Sequence, residues 1–143
     1  MDRRYGVVYI DIGMDVHMVP GYPPRMAGQL ILSRPGEVCM NCLGFLTPER
    51  IGREAGHYGD LGGRPQVVWP NGVLASTAVG YAVALVAGWD GVRGRIAYLQ
   101  YDGNTGTITA HGHWSKLKDL PCTHFPAADV GDVIFRPVTI QRN

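Results

Sequence analysis

A chain of 143 residues has the length of a single domain and is long enough to bury a real core. Its 13 basic and 12 acidic residues leave a net charge of +1, which removes any electrostatic case for nucleic acid or an anionic membrane as partner. Charged residues are only 17% of the chain, and 20 glycines and 10 prolines predict many turns, so the chain is expected to hide surface against a partner or a missing neighbour.

The opening segment, MDRRYGVVYID, has no apolar stretch ahead of a cleavage site, and a reducing, cytoplasmic setting is expected. Three cysteines in that setting argue against a disulfide framework. Residues 6–12, GVVYIDI, are β-branched and apolar and predict a buried strand. Residues 13–28 predict a loop, because Pro20, Pro23 and Pro24 oppose regular structure. GQLILS, residues 28–33, predicts a second strand, and a Pro35-Gly36 turn delivers the chain to Cys39 and Cys42.

Thr47-Pro48-Glu49 predicts a helix start: Thr caps, Pro tolerates the first helical position and Glu meets the positive end of the dipole. That helix should stop near Gly56, followed by a loop over 57–65 and a short extended segment, PQVVWP. Residues 72–88 predict the strongest helix, capped by Asn71 and ended by Gly88. It is apolar all round and should be covered on more than one side. No charge occurs from Pro65 to Trp89, a length that could span a bilayer, but Pro70, Asn71 and Gly72 should interrupt the run. A buried helix between two layers is therefore expected, with no membrane as partner. Residues 95–102 predict a strand, Gly103-Asn104 a turn, and residues 106–114 the returning strand of a hairpin. Residues 132–141 predict a last strand, with Pro137 at an edge or bulge.

The pair Cys39-x-x-Cys42 reads either as half a zinc site or as a redox pair. The redox reading needs the first Cys at a helix N-terminus directly after a strand. Here a Pro-Gly turn precedes the pair, and the helix signal comes only at Thr47. Zinc needs four ligands in a tetrahedron, commonly two pairs on two turns. Cys122 and His124 offer a second pair, in LPCTHFP, and imidazole and thiolate both suit zinc. His111 and His113 are rival fourth ligands, and three buried thiols with unrelated histidines remain an alternative. His17 and His57 read as solvated loop residues.

In order along the chain, YIDIG (9–13), GQLILSRPG (28–36), CMNCLG (39–44), PQVVWPNGVLASTAVGYAVALVAG (65–88), YLQYDGNTG (98–106) and LPCTHF (120–125) resemble the C-terminal half of the ThiF/MoeB/HesA family. These are adenylyltransferases related to ubiquitin-activating enzymes. The resemblance implies an α/β fold: a partial Rossmann-like mixed sheet with a long apolar helix and a C-terminal β-hairpin, in one domain over residues 1–143. It implies a structural zinc that clips the hairpin to the sheet, on Cys39, Cys42 and Cys122. Phe125 stands where the family has its fourth Cys, so His124 is inferred as the fourth ligand.

The family uses ATP to adenylate the C-terminal carboxylate of a ubiquitin-like or sulfur-carrier protein, so such a protein is the expected partner. The phosphates need a Gly-rich strand-to-helix turn. No G-x-G-x-x-G lies between a predicted strand and a predicted helix here, and ATP and magnesium are expected only with a complementary nucleotide-binding half. No catalytic residue is assigned. Thioester formation is not expected, because no Cys falls between Cys42 and Pro65; Cys122 as nucleophile is the weaker alternative to Cys122 as ligand. Asp11, Gln29 and Arg34 are candidates for contacting the carrier's tail. A homo-oligomer or a complementary nucleotide-binding subunit should cover the apolar helix.

Overall fold

A computed structural model describes residues 5–57, 67–89, 91 and 96–125. The elements run β1 (Tyr9–His17), β2 (Arg25–Ser33), α1 (Pro48–His57), α2 (Val68–Ala87), β3 (Tyr98–Asp102), β4 (Thr107–Ala110) and α3 (Gly112–Leu117). The fold is α/β. The four strands form one open sheet in the order β1-β2-β3-β4, every pairing antiparallel. A mixed sheet was expected; among the described residues no parallel pair occurs.

The first hairpin is longer than the sequence suggests. Tyr9 pairs with Ser33 and His17 with Arg25, so Gly13–His17 and Arg25–Ala27, expected in a loop, are strand. The three prolines fall in the connection, Met18–Pro24, where no ladder bond is needed. β1 is an edge strand and not the buried one expected: Tyr9 and Ile12 are exposed.

β2 is the centre of the core. Leu30, Ile31 and Leu32 are each 0% exposed, and because successive strand side chains alternate faces, both faces of β2 are covered. A Cβ on Gly28 would meet Leu74 of α2, so α2 lies over the face that carries residues 28, 30 and 32. Ile31 on the other face is paired with Tyr98, whose ring meets Phe45 edge-on and stacks on His111. The cysteine turn and α3 therefore pack on the side of the sheet opposite α2.

α2 begins at Val68, within the segment expected to be extended, and runs unbroken through Pro70-Asn71-Gly72. Pro70 sits in the first turn, whose N–H groups have no intrahelical acceptor, so it costs no hydrogen bond. Asn71 does not cap the helix; its Nδ2 donates to the Val67 carbonyl at 3.0 Å from inside it. Gly88 ends it in the left-handed conformation, φ 65°, as expected. By length and composition alone this helix could cross a membrane, and the interruption expected to prevent that is not there. The helix does have a packed face: Pro70, Leu74, Tyr81 and Ala84 are buried, a stripe at helical spacing. The opposite face is uncovered, with Trp69 60% and Val86 90% exposed. Among the described residues, the two-sided cover expected for this helix is thus one-sided.

Thr47 caps α1 as predicted, its Oγ1 accepting from the Arg50 N–H at 3.3 Å. The second hairpin is shorter than expected. β4 ends at Ala110, and Gly112–Trp114, expected to continue it, open α3 (Gly112–Leu117), with His111 at its cap and Trp114 buried in the core. The loop expected over 57–65 lies outside the described residues apart from His57, which closes α1; the strand expected over 132–141 lies wholly outside them.

Candidate metal centre

Cys39 and Cys42 lie on a tight turn between β2 and α1. The Leu43 N–H donates to the Cys39 carbonyl at 2.9 Å, the Gly44 N–H to Asn41 at 3.0 Å and the Phe45 N–H to Met40 at 2.9 Å. Gly44 takes φ +68°, where a side chain would be strained, and this lets the chain double back under its own cysteines. The redox reading wanted Cys39 at a helix N-terminus, but both cysteines precede α1 by several residues.

The second pair follows α3. The Leu120 N–H donates to the Leu117 carbonyl at 3.0 Å, turning the chain so that Cys122 and His124 meet the first turn. The Phe125 N–H donates to Cys122 Sγ at 3.3 Å. Phe125, which stands where the family has its fourth cysteine, thus supports the Cys122 sulfur through its backbone while His124 brings a nitrogen to the cluster.

The four donor atoms of Cys39, Cys42, Cys122 and His124 all lie within 4.8 Å of one another. Cys42 Sγ is 3.7 Å from Cys39 Sγ and 3.8 Å from Cys122 Sγ. His124 Nδ1 is 3.6 Å from Cys39 Sγ and 3.2 Å from Cys42 Sγ. A tetrahedral zinc with bonds of about 2.3 Å to sulfur holds its sulfurs about 3.8 Å apart, and sulfur and imidazole nitrogen about 3.6 Å apart. These four separations are close to those around one tetrahedral ion, and three cysteines with one imidazole are a ligand set that suits zinc.

Burial pushes the Cys39 thiol up to about 11, against the Cys42 backbone N–H that favours its anion. Burial also raises Cys42, but backbone N–H groups of Cys39 and Thr123 and the His124 ring outweigh it and bring Cys42 down to about 6. A dication would stabilise the thiolate of each.

The other sequence candidates divide. His111 and His113 are not donors to the cluster. His113 Nδ1 is 3.0 Å from the Leu43 carbonyl, and its ring packs where a Cβ on Gly44 would stand. His111 Nδ1 accepts the His113 N–H at 3.2 Å, capping α3. His113 ties α3 to the cysteine turn from outside, while His111 caps the helix and stacks on Tyr98. Sequence reading missed this link, and no local signal marks it, since residues 43 and 113 meet only in the folded chain. Asp11 accepts from the Tyr9 hydroxyl at 3.3 Å. Asp11 and Gln29 share the sheet face that carries Ile31, because Asp11 pairs with Ile31 and Gly13 with Gln29. Arg34 lies outside the strand, in an ion pair with Glu37 at 3.0 Å across the Pro35-Gly36 turn. His17 is an exposed neighbour of Asp15 at 3.7 Å.

No protein-family model matches the chain, and no curated protein and no solved structure is significantly similar to it. The class defined by fold and site is therefore a small α/β domain with an antiparallel sheet, one long apolar helix and a Cys3His group spaced for a metal ion.

Proposed function

We propose that Cys39, Cys42, Cys122 and His124 hold one structural zinc, and that the domain is the C-terminal half of a ThiF/MoeB/HesA-type adenylyltransferase. The observation that carries the zinc reading is the donor spacing: ligands 80 positions apart meet at the separation one tetrahedral ion requires. The ion staples the turn after β2 to the segment after α3, on the face of the sheet away from α2. Such a thiolate site belongs in a reducing compartment, consistent with a cytoplasmic protein.

The family reading draws on the order of segments that resemble it, now joined by the meeting of the two halves of the metal site. In this reading the sheet face with Asp11 and Gln29 is the platform for the tail of a ubiquitin-like or sulfur-carrier protein. Rossmann-like topology, ATP and magnesium come with a complementary nucleotide-binding half, which also covers the exposed face of α2. A non-catalytic binding module for such a tail or subunit is the second reading. It is favoured by one observation: no glycine-rich strand-to-helix turn occurs among the described residues.

Metal analysis of the purified chain tests the first part, with about one zinc per chain expected. ATP–pyrophosphate exchange tests the second. The chain alone should show none, and adding a nucleotide-binding half together with a carrier protein should produce it. Exchange by the chain alone would overturn the division of labour. A carrier protein that binds but is never adenylated in the reconstituted mixture would favour the binding module.

A further inference from the structure

The three sulfurs of the cluster differ in access. Cys39 is buried at 2% exposure, whereas Cys42 and Cys122 are half-buried at the rim. They also differ in attachment. Cys39 and Cys42 share one hydrogen-bonded turn, while Cys122 comes from a segment 80 positions away. Cys42 is the hub, within 3.8 Å of both other sulfurs.

We propose that the staple is released by oxidation: hydrogen peroxide converts Cys39 and Cys42 to a disulfide, expels the metal and frees Cys122. This rests on the metal reading above. The Cys42 thiolate attacks one peroxide oxygen, the O–O bond breaks, and a sulfenic acid forms with loss of hydroxide. The Cys39 thiolate then attacks the Cys42 sulfur, forming S–S as S–O breaks. Peroxide enters from solvent, so the second hydroxide leaves toward solvent and the incoming sulfur arrives from the buried side, where Cys39 lies. Two protons from solvent complete two waters. The two thiolates lose two electrons, and peroxide gains them. Zinc is left with Cys122 and His124 alone, too few ligands to retain it.

Attack at Cys122 first leads to the same end. A Cys42–Cys122 disulfide loses the metal that held its two segments in register. Cys39, tethered three positions from Cys42, then displaces the Cys122 thiolate by exchange. The long-range connection therefore opens on oxidation and is not replaced by a covalent one.

The test uses the full chain loaded with zinc. Zinc content before treatment checks the underlying reading separately, and a reconstituted chain that binds none overturns both. The loaded chain is then exposed to a modest excess of hydrogen peroxide, with a chromogenic chelator reporting metal and alkylation followed by peptide mapping reporting thiols. The expected result is release of about one zinc per chain, a Cys39–Cys42 disulfide within one peptide, and an alkylatable Cys122. Dithiothreitol and fresh zinc should restore the loaded form. Retention of zinc under peroxide, or a final bridge containing Cys122, overturns the proposal and leaves the metal site standing.

Discussion

Replacing Cys122 with Ser should separate the metal's contribution from that of the surrounding packing. Zinc in the folded chain joins Cys42 to Cys122, 80 positions apart, and the upper bound on its worth is that of a permanent cross-link kept in the unfolded chain. Closing a loop of that length removes about 15 cal/mol/K from the unfolded ensemble, or about 4.5 kcal/mol at 25 °C. Residual zinc affinity of the unfolded Cys39-x-x-Cys42 pair lowers the net gain, so about 3–4 kcal/mol is expected. For a domain of this size that is roughly 10 °C in Tm. The assay is thermal unfolding by circular dichroism, under reducing conditions, of wild type and Cys122→Ser, each with zinc and with EDTA. Wild type with zinc should melt highest, the two EDTA samples lowest, and Cys122→Ser with zinc between them, because Cys39, Cys42 and His124 still offer three weaker ligands. If wild type with EDTA melts within about 2 °C of zinc-loaded wild type, the long-range staple does not exist.

Other positions carry their own expectations. Gly28→Val should destabilise by about 1–3 kcal/mol, because even the Cβ would stand 2.8 Å from Leu74 Cδ1 and 2.9 Å from the Gly13 carbonyl oxygen; urea unfolding reads this directly. Asn104→Ala should cost about 1–2 kcal/mol in the same assay. It removes the acceptor for the Met26 N–H at 2.8 Å and the donor to the Pro24 carbonyl at 2.9 Å, two bonds that add to the β2–β3 ladder between the hairpins. His111 is held below its usual range by burial, with His113 and Arg50 adding repulsion. The folded state therefore takes up its proton later than the unfolded chain as pH falls. The stability this contributes is present above about pH 6.5 and is lost as pH drops below it. Protonation also removes the Nδ1 lone pair that caps α3. His111→Asn, which keeps a capping acceptor, should flatten the stability profile between about pH 6.5 and 5, measured by urea midpoints across that range.

Much of the local structure was legible in the residues themselves. The Thr47 cap, the Pro35-Gly36 turn, the Gly88 stop and the apolar run of β2 each depend on backbone preferences that act within a few residues. The failures were of a different kind. Nearby prolines point to a loop at Met14, Val16 and Ala27, yet pairing with the opposite strand outweighs that local signal. Pro70 was read as a break, yet in a first turn it is free of cost. Residues 112–114 continued an alternating pattern, but burial of Trp114 against β2 and β3, with a cap from His111, made them helical.

From sequence alone came the chemistry of the candidate site: three thiols and an imidazole, in two short clusters, with the residue types that suit zinc. The residues themselves do not say that the clusters meet, and the preference for His124 over His111 and His113 rests on the family resemblance, because nothing local couples residues 80 positions apart. The folded chain decided both. Antiparallel pairing of β2 with β3 brings the second hairpin beside the first, and α3 packs back on the cysteine turn through His113. The same packing decided which stripe of an all-apolar helix is buried, since a uniform helix has no preferred face until a sheet is laid against it.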